Sequence, residues 1–154
     1  MLKMSADFRD FLKLLSEKNV EYLLIGGYAV NYYGYVRDTG DMGIWVRSTD
    51  GNIHLTAEAL EEFGCASKQD TLPYLKQSGK IIRMGVPPFR LEVSTGIDGV
   101  EFDECYVNRV IFYLDETPVS LLSLNDLLKN KRASARMKDL ADVEELELRN
   151  KKRI

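Results

Sequence analysis

Apolar positions recur along the chain with two periods, 3.6 residues and 2, and the changes between them mark the elements. Phe8, Phe11, Leu12 and Leu15 fall at i, i+3, i+4 and i+7, one stripe of a helix over residues 5–18. Ser5 is a favoured N-cap, Asp7 sits in the first turn, and Asn19 is a stop. Tyr22-Leu23-Leu24-Ile25 is a short apolar run closed by Gly26-Gly27, which predicts a buried strand entering a glycine turn. Residues 28–33 read as a short helix ended by Gly34. Residues 41–46 alternate: Met42, Ile44 and Val46 share one face, and Asp41, Gly43, Trp45 and Arg47 the other. A helix follows over residues 49–63, capped among Ser48, Thr49 and Asp50, with Ile53, Ala57 and Leu60 on its buried side and Gly64 at its end.

Residues 81–84 and 89–93 read as strands of a hairpin joined by Gly85-Val86-Pro87-Pro88. Residues 96–99 form a loop, 107–114 a strand, Asp115-Glu116 a turn, and 117–120 a further short strand. From Ser123 the pattern is helical, through Leu124, Leu127 and Leu128 and then Met137, Leu140, Ala141 and Leu148, with a break near Ala133-Ser134. The last residues, 150–154, are expected to fray. Strands and helices do not alternate strictly, so a doubly wound parallel sheet is disfavoured. An α+β domain is expected, a mixed sheet flanked by helices in two α/β layers.

Composition adds bounds. The chain has 154 residues, the size of one domain, and residues 1–154 are read as such. No apolar run approaches the roughly 18 residues of a membrane helix, and charges at Asp7, Arg9 and Asp10 interrupt any leader-like stretch. The net charge of −3 excludes a nucleic-acid binder that works by bulk positive charge. A local basic patch remains, with Lys129, Lys131, Arg132, Arg136 and Lys138 near the end of the chain. Cys65 and Cys105 are too few for a disulfide framework or a zinc site, so reduced thiols in a cytoplasm are the simplest reading.

One segment carries chemistry. In LLIGGYAVNYYGYVRDTGDMGIWV, residues 23–46, a strand ends in Gly-Gly, a short helix follows, and an aspartate opens the next strand. Glycines after a strand let a phosphate approach the backbone, and an aspartate at that strand head offers oxygen ligation to a divalent cation.

This ordered combination resembles the nucleotidyltransferase superfamily of the DNA-polymerase-β type, and within it small bacterial abortive-infection (AbiE-like) toxins. The family's signature is a strand, Gly-Gly, a short helix, Asp-x-Asp on the next strand, and a third carboxylate on a later strand. Gly26 and Gly27 match the glycine pair, with Tyr28 where many members have Ser or Thr. Arg37, Thr39 and Asp41 match an Arg-x-Thr-x-Asp run of the toxin-like branch, and Glu92 falls at the third carboxylate. The run KRASARMKD, residues 131–139, resembles the family's C-terminal pattern.

The resemblance implies a nucleotidyltransferase fold and Mg²⁺- or Mn²⁺-dependent transfer of a nucleoside monophosphate from an NTP to a hydroxyl of tRNA or protein. Asp41 and Glu92 would be catalytic and hold metal. Gly26, Gly27, Arg37, Thr39, Lys131 and Lys138 would bind nucleotide, and a toxin would have a cognate antitoxin.

The main departure is Asp41-Met42-Gly43 in place of Asp-x-Asp. Residues 41 and 43 share a strand face, so Gly43 leaves half of a two-metal grip empty. Asp41 and Glu92 would hold one cation weakly. Asp38 stands at an odd spacing from Asp41, and Asp98 would have to reach back from its loop. The alternative function is an inactive domain that binds nucleotide or a partner.

Several residues keep two readings. Glu92 is also what strand alternation predicts beside Leu91 and Val93. Arg37 contacts a triphosphate or pairs with an acid. Lys131, Arg136 and Lys138 contact phosphates or form a solvated helix face. Trp45 stacks on a base or packs. Tyr28, Tyr32, Tyr33 and Tyr35 line a pocket or a half-buried helix wall. His54 has no partner in view and reads as structural.

Overall fold

The computed structural model describes residues 4–37, 39–86 and 89–152. Asp38, the Pro87-Pro88 part of the predicted turn and residues 153–154 of the tail expected to fray lie outside the described residues. At the start of that tail Asn150 does not fray: it is buried and donates to the Tyr33 and Leu146 carbonyls. Helix α1 (Ala6–Glu17) is capped by Ser5, whose hydroxyl accepts from the Phe8 N–H, and buries Phe8, Phe11, Leu12 and Leu15. Asn19 ends it in the left-handed region at φ 58°. Strand β1 (Tyr22–Ile25) runs directly into α2 (Gly26–Tyr32), so the glycine pair forms the first turn of that helix and does not precede it. Strand β2 (Met42–Val46) and helix α3 (Asp50–Glu62) follow.

Strands β3 (Ile81–Val86) and β4 (Phe89–Ser94) pair antiparallel. Strands β5 (Val110–Leu114) and β6 (Thr117–Leu121) form the second antiparallel pair. The six strands make one mixed sheet in the order β3-β4-β2-β1-β6-β5. Strands β2–β4 and β1–β6 run parallel, and β1–β2 antiparallel. The chain ends in α6 (Leu124–Ser134) and α7 (Met137–Arg149).

The structure adds two helices and shifts two boundaries. Helix α4 (Lys68–Leu75) has no sequence stripe to announce it, because only Thr71 and Leu75 are buried and Pro73 stands inside it. Helix α5 (Phe102–Val107) buries only Cys105, so the predicted strand over 107–114 starts at Val110 instead. The break between the last helices lies at Ala135, which adopts φ 56°.

Register explains the layers. Leu24, Ile44 and Val93 stand side by side on one face, with Leu91 and Met42 one step along. Helices α1 and α3 cover that face, where Phe8, Phe11 and Phe63 all meet the Phe89 ring. On the opposite face, Ile25, Gly43, Glu92 and Arg83 form one row across β1, β2, β4 and β3. Trp45 shares that face and packs edge-on against Phe102 of α5, with ring centroids 5.1 Å apart. It is buried packing and not an open stacking platform. Tyr28 is likewise core, edge-on to Phe8, and Tyr33 donates its hydroxyl to the Leu122 carbonyl. His54 lies on α3 near Asp50 at 3.8 Å. Among the described residues no helix is long and apolar enough to cross a membrane.

Candidate functional site

The face that carries Gly43 and Glu92 opens into a cleft with two adjoining lobes of about 400 and 460 Å³. Gly26, Glu92, Lys131 and Arg136 line both lobes. The first lobe also holds Gly43, Ser94 and Asp98. The second holds Gly27, Arg37, Thr39, Asp41 and Lys138. Asp41, Glu92 and the six residues that the resemblance implies for nucleotide therefore line this one cleft, although they come from positions 26 to 138.

Local structure explains the placement. An added Cβ on Gly27 would overlap the Thr39 side chain, so only glycine lets Thr39 close over α2. Thr39 in turn donates its hydroxyl to the Asp41 carbonyl at 3.4 Å. Asn31 accepts from the Arg37 N–H at 3.1 Å and anchors the start of that segment. Asp41 emerges at the head of β2, one ladder step from Gly43 and on the same face. Tyr35 lines the second lobe, whereas Tyr32 stacks on Phe112 away from it.

The carboxylates do not stand free. Glu92 accepts from Arg83 Nε at 2.6 Å across the β3–β4 hairpin. Asp41 faces Arg90 Nε at 3.3 Å. The Arg83 guanidinium is held above its usual pKa, by its hydrogen bond to Glu92 first, then the Glu92 charge, and also by Asp41. Asp98 does reach the cleft, but its carboxylate accepts from Ser134 at 2.9 Å. Among the described residues no group of three His, Cys, Asp or Glu side chains comes together as a metal-ligand set. The residues present therefore do not fit a two-metal centre: Gly43 supplies no oxygen, and Asp41 and Glu92 each already meet an arginine.

The rear wall is a buried charge network. Lys131 Nζ lies 3.2 Å from Asp139 and 3.1 Å from Asp142. Arg37 grips Asp142 with two nitrogens, at 3.1 and 2.9 Å, and Arg136 Nε meets Asp139 at 2.7 Å. Burial alone would raise the Asp139 pKa, but hydrogen bonds and charge from Arg136 and Lys131 hold it below the usual carboxylate value. Sequence reasoning missed Asp142 and read α7 only from the apolar run Met137, Leu140, Ala141 and Leu148. The signal was there: Asp139 and Asp142 are spaced i, i+3, on the face of Val143 and Leu146. Ser94 was missed too; its buried hydroxyl has no hydrogen-bond partner among the described residues.

Solved structures share this architecture. The antibiotic-resistance factor ANT(2'')-Ia superposes with a TM-score of 0.59 at 10% identity, over 92% of this chain and 81% of that one. The lincosamide antibiotic adenylyltransferase LnuA, in its lincomycin-bound form, gives 0.59 at 14% identity, over 96% and 98%. A candidate nucleotidyltransferase from Thermotoga maritima gives 0.57 at 11% identity, over 95% and 91%. The fold is that of the nucleotidyltransferases. No family model and no curated relative matches the sequence. In this nucleotidyltransferase fold the cleft is built from the strand–glycine–helix unit, the β2–β4 pair and the last two helices.

Proposed function

We propose that this chain binds a nucleoside triphosphate in the cleft and that two-metal nucleotidyl transfer is lost at Gly43. The observation that carries the reading is the row Ile25–Gly43–Glu92–Arg83: the position that should offer a carboxylate offers none, and its neighbour is paired to arginine. Gly26, Gly27, Arg37, Thr39, Lys131 and Lys138 are the residues assigned to the nucleotide. Lys138 is exposed and makes no ion pair among the described residues, whereas Arg37 and Lys131 first organise the wall.

A second reading is favoured by one observation, the approach of Asp41 and Glu92 on adjacent strands of one face. There the two carboxylates hold a single Mg²⁺ or Mn²⁺. An acceptor hydroxyl on tRNA or protein then attacks the α-phosphorus, and pyrophosphate leaves. On this reading the toxin-like run Arg37, Thr39 and Asp41 points to a cytoplasmic toxin with a protein antitoxin.

Transfer from α-labelled NTPs separates the two. The chain and its Gly43→Asp variant are compared with Mg²⁺ or Mn²⁺, offering tRNA, protein and, because one structural neighbour is a lincosamide adenylyltransferase, lincomycin. An added Cβ at Gly43 would lie 3.0 Å from Ile25 Cγ1, a contact that a small shift of Ile25 relieves, so the variant should fold. Label transfer by Gly43→Asp alone supports the first reading. Transfer by the unchanged chain, abolished in Asp41→Ala, supports the second.

A further inference from the structure

Charge decides what the cleft can hold. Arg37, Lys131, Arg136 and Lys138 line it against Asp41, Glu92, Asp98, Asp139 and Asp142, a balance of −1. A triphosphate entering such a site is repelled unless something cancels the carboxylates at the sheet face. In two-metal transferases divalent cations do this. Here Arg83 and Arg90 stand outside the lining of either lobe, yet from the β3–β4 hairpin they pair with Glu92 and Asp41 and, counted with the cleft, turn the balance to +1.

The geometry of those contacts leaves capacity to spare. Each arginine meets its carboxylate through Nε. Among the described residues the terminal nitrogens of both make no hydrogen bond, and Asp41 adds only its charge at Arg83. A guanidinium carries five N–H donors in a planar fork that suits phosphate as well as carboxylate, so a second anion can be bound without breaking the first contact. Register keeps both arginines in place: Arg83 is the cross-strand partner of Glu92, and Arg90 lies two residues before Glu92 on its face. The placement is thus a property of the sheet.

We propose that the cleft takes its nucleoside triphosphate without a divalent cation, with Arg83 and Arg90 supplying the positive charge at Asp41 and Glu92. This rests on the nucleotide-binding reading above and deepens it.

The test is calorimetric titration of the full chain with ATP, GTP, CTP and UTP, once in EDTA and once with excess Mg²⁺. The best-bound nucleotide is expected to show affinities that agree within about twofold between the arms. Arg83→Ala combined with Arg90→Ala is expected to weaken binding in EDTA by about tenfold or more, since two charge-assisted contacts are lost. The Arg83 side chain is mostly exposed and that of Arg90 partly so, and neither belongs to the core, so this variant should fold, which a circular dichroism spectrum checks. Glu92→Gln carries the opposite sign. It frees Arg83 and should tighten binding in EDTA, whereas loss of a metal ligand would weaken binding with Mg²⁺. Binding in the Mg²⁺ arm alone overturns the proposal and leaves the nucleotide-binding reading standing. No binding of any of the four nucleotides in either arm overturns both.

Discussion

Gly27 and Asp139 show how single residues hold the cleft open and shaped. A methyl group at Gly27 would collide with Thr39, so Gly27→Ala should cost about 1–3 kcal/mol by overpacking and push the 35–41 segment off α2. Urea unfolding measures the stability, and nucleotide titration should show weaker binding in the same variant. Asp139 is fully buried against Lys131 and Arg136. Asp139→Asn leaves Lys131 with Asp142 alone and should destabilise the chain by about 3 kcal/mol. Because the folded state holds the Asp139 pKa below its ordinary value, its contribution is fully present above that value. It is lost as pH falls through the lowered one. Wild-type stability should therefore drop in acid with a steeper slope than that of Asp139→Asn, read from urea midpoints at a series of pH values. Cys105 is buried, and burial with the nearby Asp126 pushes its thiol up to about 12, consistent with an inert core cysteine.

Among the elements, α7 is the one whose orientation the apolar pattern leaves open. Met137 is 91% exposed and Leu148 53%, whereas Leu146 is fully buried beside Asp139 and Asp142. Two apolar stripes run along this helix, and only the docking partner decides which one is covered. Leu148→Glu should change stability by no more than about 0.5 kcal/mol. Leu146→Ala should cost about 3 kcal/mol. Chemical denaturation of the two variants reverses the ranking that periodicity alone suggests. Elements with one long stripe and a cap were legible from residues: α1 follows from Phe8, Phe11, Leu12, Leu15 and Ser5 to within a residue at each end. Helices α4 and α5 were not, because they run 8 and 6 residues and bury two and one, too few to establish a period.

The whole molecule is tied together at the cleft. Arg37 joins the segment before β2 to Asp142 on α7, 105 residues away, and Lys131 ties α6 to the same carboxylate. Arg37→Ala should therefore raise amide exchange in residues 35–41 and in α7 together, with little change in β5 and β6, as hydrogen exchange would read. Bound nucleotide should lower exchange in those same two regions. Part of this was legible in the residues: the glycine turn, Asp41 at a strand head and the mixed sheet follow from turn chemistry and strand alternation, which act over a few residues. Glu92 as a third carboxylate and the missing oxygen at Gly43 were legible only through the resemblance to the nucleotidyltransferases. What each charge faces was settled by packing. Arg83 reaches Glu92 because two strands pair in one register, and Arg90 reaches Asp41 because β2 lies beside β4. Asp142 became part of the site only when α7 docked with its carboxylates inward. Such pairings depend on contacts between residues far apart in the chain, and no period of 2 or 3.6 encodes them.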